Sequence, residues 1–139
     1  MLKKTLFLLM LVLTSYGKLF AQTYNPPIHV PDLPCSYKIC LIALDQCRQI
    51  ACGAPKCVTV PAHSPGIYYA NPISACLNGL RWGCIAWNVS FEVGPCEVVP
   101  SDAPTQFIVN QGTATGWTTI GTGQNYSFMW DGSSIYIQP

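Results

Sequence analysis

The sequence predicts an all-β fold, an antiparallel β-sandwich of about seven short strands stabilised by disulfides. Three observations lead to this prediction: short apolar segments separated by proline and glycine, a two-residue alternation over residues 85–93, and 8 cysteines in 139 residues. Twelve prolines and 11 glycines interrupt the chain, and no internal repeat at a fixed period is visible. We therefore expect one domain.

Residues 1–21 have the pattern of a secretory signal peptide. Lys3 and Lys4 precede an uninterrupted apolar run, Leu6–Leu13, and Ala21 is a small residue at the expected cleavage position. A transmembrane anchor is the alternative, but this run would span only about 12 Å of a hydrocarbon core about 30 Å thick. The Lys-Lys start and the Phe-Ala-Gln end resemble bacterial signals of the Bacteroidota type. We expect a bacterial protein that is secreted, extracellular or periplasmic, with no membrane span after signal removal.

The charge of the chain argues against nucleic acid as a partner. Only 9% of the residues are charged, and removal of the signal leaves 4 basic residues against 6 acidic ones, a net charge of −2. No basic cluster remains to displace counterions from a phosphate backbone.

The cysteines all follow the signal segment, and their even number in a small exported chain predicts up to four disulfides. Zinc is the alternative, but neither a C-x-x-C pair nor a suitably spaced pair of histidines occurs, so we expect no metal and no cofactor. The pairing is open, except that the turn-forming residues between Cys52 and Cys57 suggest that these two face each other across a hairpin. The predicted disulfide residues are Cys35, Cys40, Cys47, Cys52, Cys57, Cys76, Cys84 and Cys96.

Residues 22–34 contain four prolines and are expected to be an extended N-terminal arm. This segment is either a loose arm or a strand that pairs with an edge of its own sheet or of a neighbour's. Residues 35–139 then form the single disulfide-rich domain.

Residues 37–51 allow two interpretations. Tyr37–Leu44 is apolar on both faces, as a central strand would be. Alternatively, Ser36 caps a short helix over this segment. We favour the strand, because a hairpin near Asp45 would follow naturally.

The clearest strand covers residues 85–93. Alternate residues are apolar and the residues between them are small or polar, as a half-buried antiparallel strand requires. The predicted inward residues are Ile85, Trp87, Val89, Phe91 and Val93. Shorter strands are predicted at Val58–Val60, Ile67–Tyr69, Gln106–Val109 and Trp117–Ile120.

The end of the chain predicts a hairpin. Two apolar strands flank Asp131-Gly132, a dipeptide typical of a two-residue type I′ turn. A loop at this point places Phe128 opposite Ile135. Two residues further on, Tyr126 is then opposite Ile137. The other face of the hairpin carries Met129, Tyr136 and Gln138.

Catalytic patterns are missing from the sequence. It contains no serine-nucleophile elbow, no H-E-x-x-H and no phosphate-binding loop. His63 precedes Ser64, but adjacent residues on an extended chain point apart and do not form a dyad. We therefore expect a protein that is not an enzyme and has no catalytic or cofactor-binding residue.

These observations predict a secreted, non-catalytic interaction or structural module that binds a protein or polysaccharide at the cell surface, with self-association left open. Outward aromatic rings stack on sugars, so a carbohydrate-binding module that uses Trp82, Trp117 and Tyr136 is the first alternative. The second is a small secreted inhibitor or toxin-like protein that presents a rigid loop such as residues 61–72.

Overall fold

The computed structural model describes residues 25–72, 84–94, 105–120 and 126–139. No helix in these ranges is long and apolar enough to span a membrane. The strands of the described ranges are β1 (Ile28–Val30), β2 (Tyr37–Asp45), β3 (Ile50–Val60), β4 (Gly66–Tyr68), β5 (Ile85–Val93), β6 (Thr105–Asn110), β7 (Thr118–Thr119), β8 (Ser127–Trp130) and β9 (Ile135–Gln138).

The strands form two sheets. The five-stranded sheet has the order β4-β1-β9-β8-β7, and the four-stranded sheet has the order β3-β2-β5-β6. Every pairing is antiparallel except that of β1 with β9, which is parallel. The predicted disulfide-stabilised β-sandwich is confirmed.

Large side chains from both sheets meet in one core. Phe91 of β5 and Phe128 of β8 lie with their ring centroids 5.4 Å apart. Trp87 of β5 and Trp130 of β8 are fully buried. The Trp130 indole N–H donates to the Asn110 carbonyl at 2.8 Å, which satisfies a donor that would be costly to bury alone.

Residues 37–51 form a hairpin of two strands, so the helix alternative is wrong. β2 lies between β3 and β5, and a strand in this position is covered on both edges. Inward residues such as Ile39 are fully buried, and the outward Ile42 and Leu44 are half-buried. A central strand thus uses apolar residues on both faces, which explains the ambiguous pattern.

The predicted meeting of Cys52 and Cys57 is also wrong. Both residues belong to β3, and Cys57 is bonded instead to Cys40, its direct neighbour in β2. The turn-forming residues between the two cysteines do not reverse the chain. They coincide with a shift in the β2–β3 register between Leu41 and Ala43, so they form an irregularity within a long strand.

Two disulfides join described residues, Cys40–Cys57 and Cys47–Cys84. Cys35 and Cys52 are disulfide-bonded as well. The other two predicted disulfide residues, Cys76 and Cys96, lie outside the described ranges. These bonds indicate an oxidising extracellular or periplasmic environment.

The proline-rich segment belongs to the five-stranded sheet. β1 lies between β4 and β9, with Ile28 opposite Ile135. The backbone N–H of Ile135 donates to the Pro27 carbonyl at 2.9 Å, and Leu33 is only 1% exposed. The described part of this segment is therefore the paired strand and not a loose arm. The predicted signal peptide, residues 1–21, lies outside the described residues.

The β8–β9 hairpin exists, but its predicted register is wrong by two residues. Phe128 lies opposite Ile137, and Trp130 lies opposite Ile135. The shift is an even number of residues, so each side chain keeps its predicted face. Tyr136 accordingly points to the outer face of the sheet, where it is half-buried.

The turn of this hairpin explains the shift. The Asp131 N–H donates to the Ser134 carbonyl at 3.1 Å, which places Gly132 and Ser133 at the centre of the turn. A type I′ turn needs positive φ at both central residues, whereas here only Gly132 has it, at 104°. The Asp131 carboxylate stabilises this arrangement by accepting hydrogen bonds from the N–H groups of Ser133 at 2.8 Å and Ser134 at 2.7 Å.

Candidate functional site

Outward residues of the five-stranded sheet align in a row across its strands. The register places Ile67 of β4 opposite His29 of β1, and His29 opposite Tyr136 of β9. Tyr136 lies opposite Met129 of β8. One residue beyond the paired part of β7, the same register places Trp117 beside Met129. Since adjacent strands lie about 4.8 Å apart, these five residues, here called the cross-strand row, extend over about 19 Å.

A second row of outward residues runs beside the first. Thr119 lies opposite Ser127, and Ser127 lies opposite Gln138. Each of the three is two residues along its strand from a member of the cross-strand row, so both rows lie on one face. The hydroxyl and carboxamide groups of this polar row donate and accept hydrogen bonds without carrying charge.

Tyr136 is fixed in place by its neighbours. Its ring stacks on the His29 ring, with centroids 4.4 Å apart and planes 6° from parallel. Its hydroxyl also helps to lower the pKa of the Asp131 carboxyl. Burial raises the pKa of Asp131, but hydrogen bonds from Ser133, Ser134 and Tyr136 outweigh this effect and bring the pKa below its ordinary value. One face of the Tyr136 ring is thus already occupied.

The two ends of the cross-strand row are its exposed members. Trp117 is 46% exposed and Ile67 is 56% exposed, whereas the three residues between them are half-buried. Two of the three predicted ligand-facing aromatics, Trp117 and Tyr136, therefore share one face, separated by a single strand. Trp117 supplies the open ring. The third, Trp82, lies outside the described residues.

The histidine next to Ser64 contacts a carboxylate. His63 Nδ1 lies 2.9 Å from Asp32 Oδ1, and both side chains are exposed. The Ser64 hydroxyl donates to the Ala62 carbonyl at 3.2 Å. The backbone N–H of His63 also donates to the Leu33 carbonyl at 2.8 Å. These contacts connect the turn after β3 to the segment that follows β1.

Three side chains of the kinds that bind metals lie close together near the β2–β3 turn. A carboxylate oxygen of Asp45 and the Sγ atoms of Cys47 and Cys84 are within 4.8 Å of one another. The two sulfurs are bonded to each other, so neither is available as a thiolate ligand. Asp45 Oδ1 accepts hydrogen bonds from the N–H groups of Cys47 at 3.0 Å and Arg48 at 3.2 Å. The cluster therefore acts as the cap of the β2–β3 turn.

Residues 61–72, the loop considered for an inhibitor, are largely fastened to the sheet. Their central part is β4, which pairs with β1. The Tyr68 hydroxyl donates to the Ser64 carbonyl at 2.7 Å, and the Asn71 N–H donates to Asn25 Oδ1 at 3.2 Å. These contacts restrain the conformation of the loop.

Sequence reasoning did not single out His29 or Ile67. Both join the cross-strand row because β1 pairs in parallel with β9, which lies at the opposite end of the chain. No local pattern contains this pairing. The alternation of the hairpin did place Met129 beside Tyr136, and that part of the row was visible in the sequence.

Comparison with protein-family models, with curated proteins and with solved structures finds no match for this chain. The arrangement of residues described above is therefore the basis of the proposals that follow.

Proposed function

We propose that this protein is a secreted, non-catalytic binding module of the cell surface or extracellular space, with the outer face of the five-stranded sheet as its binding face. The observation that carries the proposal is the cross-strand row. Outward residues of a sheet whose other face lies in the core are usually polar, whereas this row aligns two aromatic and two aliphatic or thioether side chains around His29. The signal-like segment and the disulfides support the extracellular location.

The exposed ends of the row favour an extended ligand. A ligand that lies along the row would cover Trp117 and Ile67, which are the apolar side chains that the fold leaves open there. The stacked pair of His29 and Tyr136 supplies a rigid centre, so little side-chain freedom is lost on binding.

Binding of the labelled protein to cell envelopes of the producing organism tests this proposal. Trp117→Ala and Ile67→Ala should each reduce the retained fraction, by about tenfold for the tryptophan. Ile50→Ala is the matched control, because Ile50 is 57% exposed but lies on β3 of the other sheet. Equal effects of Trp117→Ala and Ile50→Ala would contradict the assignment of the binding face.

A neutral carbohydrate is the second candidate ligand, and the pairing of the two rows favours it. Sugar rings stack their C–H faces on an indole while their hydroxyls exchange hydrogen bonds with neutral polar side chains. Trp117 and the polar row of Thr119, Ser127 and Gln138 offer both groups on one face. Apart from His29, the two rows contain no basic side chain. They therefore lack the group of positive charges that would bind an acidic sugar, which favours neutral sugars.

Retention on insoluble cellulose, chitin and xylan tests the carbohydrate candidate. The wild type should bind at least one of them, Trp117→Ala should abolish retention, and Trp117→Phe should keep part of it. Ile50→Ala again serves as the control. Retention on envelopes but on no neutral polysaccharide would contradict the carbohydrate candidate and leave a protein ligand.

A further inference from the structure

β6 forms one edge of the four-stranded sheet, and its backbone groups alternate in direction. Among the described strands β6 pairs only with β5, and just beyond this ladder the Gln111 N–H donates to the Ile85 carbonyl at 2.9 Å. Every second residue of β6, counted back from Gln111, therefore directs its N–H and C=O groups to β5. Gln106 and Ile108 direct theirs to the open side.

The two edges of this sheet differ in their protection against pairing with another strand. β3 has Gly53, Pro55 and Lys56 together with its register shift, all of which hinder the addition of a further strand. β6, with the sequence TQFIVN, has no proline, glycine or charge. Edges of natural sheets that are meant to stay free usually contain at least one such feature.

Ile108 marks the centre of this unprotected edge. Its side chain is 62% exposed, the largest value among the exposed large hydrophobic residues of the described ranges. It lies on the outer face beside Asn88 of β5, with Gln106 and Asn110 as its exposed neighbours on β6. An apolar side chain in this position is covered if a further strand is added to the sheet.

We propose that two copies of this chain associate by antiparallel pairing of their β6 strands, forming one continuous eight-stranded sheet. Two-fold pairing with Gln106 opposite the partner's Ile108 uses both outward N–H groups and both outward carbonyls of each strand. It brings the Ile108 side chains of the two copies together on the same outer face. Because β6 carries no charge, pairing with itself brings no like charges into contact.

The backbone groups of β6 favour one pairing register over the others. The Asn110 carbonyl already accepts hydrogen bonds from Trp130 Nε1 at 2.8 Å and from the Thr113 N–H at 3.1 Å. The part of β6 whose outward backbone groups remain available for pairing is therefore short and centred on Phe107. This limits the interface to one strand pair. We expect a weak, concentration-dependent dimer. This inference is independent of the proposed binding face, which lies on the other sheet.

Sedimentation velocity of the purified protein over a wide concentration range tests the proposal. The weight-average mass should rise towards twice that of the chain, and Ile108→Lys should raise the dissociation constant at least about tenfold, because it places two like charges at the centre of the contact. Ile50→Lys makes the same change at an equally exposed site on the protected edge and should leave association unchanged.

A charge exchange separates loss of the contact from loss of the fold. Ile108→Lys and Ile108→Glu should each remain monomeric and retain the wild-type unfolding transition, and an equal mixture of the two should associate. A wild type that stays monomeric at all concentrations would overturn the proposal. A dimer that persists in Ile108→Lys, or a mixture that fails to associate, would overturn it as well.

Discussion

Gly112 donates its backbone N–H to the carbonyl of Gly132 at 2.7 Å. Gly112 follows β6 of the four-stranded sheet, and Gly132 lies in the β8–β9 turn of the five-stranded sheet, so this bond joins the two sheets at one end of the sandwich. A Cβ added to Gly132 would lie 3.2 Å from the Gly112 carbonyl carbon, and the φ of Gly132 is +104°. Close approach and backbone conformation therefore both require glycine at position 132.

Gly132→Ala should lower the free energy of unfolding by about 1–3 kcal/mol, because alanine adds both strain and crowding. Gly116→Ala is the control, since a Cβ there meets no atom within 4 Å. We expect the control to change stability by less than about 0.5 kcal/mol. Urea unfolding followed by tryptophan fluorescence measures both, and equal stabilities for the two variants would contradict the argument.

The same turn predicts a pH dependence. The pKa of Asp131 is lower in the folded protein than its ordinary value of 3.8. The ionised carboxylate therefore stabilises the fold at pH values above 3.8, and this contribution is lost as the pH falls through the lowered folded value. Asp131→Asn keeps an acceptor oxygen but cannot ionise. The stability difference between wild type and Asp131→Asn should be largest near neutral pH and shrink below about pH 4 in thermal unfolding scans. A difference that stays constant down to about pH 2 would contradict this role.

The β8–β9 hairpin also shows which structural features the hydrophobic pattern of the sequence can predict and which it cannot. The alternation of residues 126–138 correctly predicts two strands and the face of each side chain. It cannot distinguish registers that differ by two residues, because the period of a strand is two. Trp130 pairs with Ile135 because Asp131 holds the turn at Gly132-Ser133, which depends on hydrogen bonds and not on hydrophobic pattern.

The candidate site could be predicted only in part, because it depends on pairing between strands that are far apart in the sequence. Strand β5 is recognised at its observed bounds, because its pattern is local and complete. His29 reaches Tyr136 only through the parallel β1–β9 pairing, and this contact connects distant parts of the chain. The exposure of Ile108 likewise depends on β6 lying at the edge of its sheet, a matter of strand order that alternation does not encode.

The two described disulfides should differ in their contribution to stability. Cys40–Cys57 spans 17 residues and joins direct neighbours of the β2–β3 hairpin, whereas Cys47–Cys84 spans 37 residues and joins the β2–β3 turn to the start of β5. Loop-closure entropy gives about 3 kcal/mol for the first and about 4 kcal/mol for the second. In variants that keep only one of these two bonds, with the other six cysteines replaced by alanine, the variant that keeps Cys47–Cys84 should therefore be the more stable one. Urea unfolding of both variants decides the order, and the reverse order would contradict the entropic explanation.

The bonding of Cys35 can be inferred from the strand register. Cys35 and Cys52 are both disulfide-bonded. The strand register shows that they are not bonded to each other. Cys52 lies opposite Ala43, and the six steps of β2 from Tyr37 to Ala43 span about 20 Å. The two further steps to Cys35 can shorten this distance by at most about 7 Å, so Cys35 stays beyond the reach of a disulfide to Cys52.

We predict that Cys96 is the partner of Cys35, because Cys96 is close in sequence to a described neighbour of Ser36. The Gly94 N–H donates to the Ser36 carbonyl at 2.8 Å, which places Gly94 beside the residue that follows Cys35. Two peptide units connect Gly94 to Cys96, so their Cα atoms are at most about 7 Å apart. We then predict Cys76 as the partner of Cys52, since this pairing leaves no other cysteine for it.

Peptide mapping without reduction tests this pairing. After digestion that separates the cysteines, mass spectrometry should detect a peptide pair that joins Cys35 to Cys96 and another that joins Cys52 to Cys76. The pairs that contain Cys40–Cys57 and Cys47–Cys84 serve as internal controls, since both bonds are described in the structure. The same digest after reduction should lose all four linked species. Detection of a peptide that joins Cys35 to Cys76 would contradict the pairing.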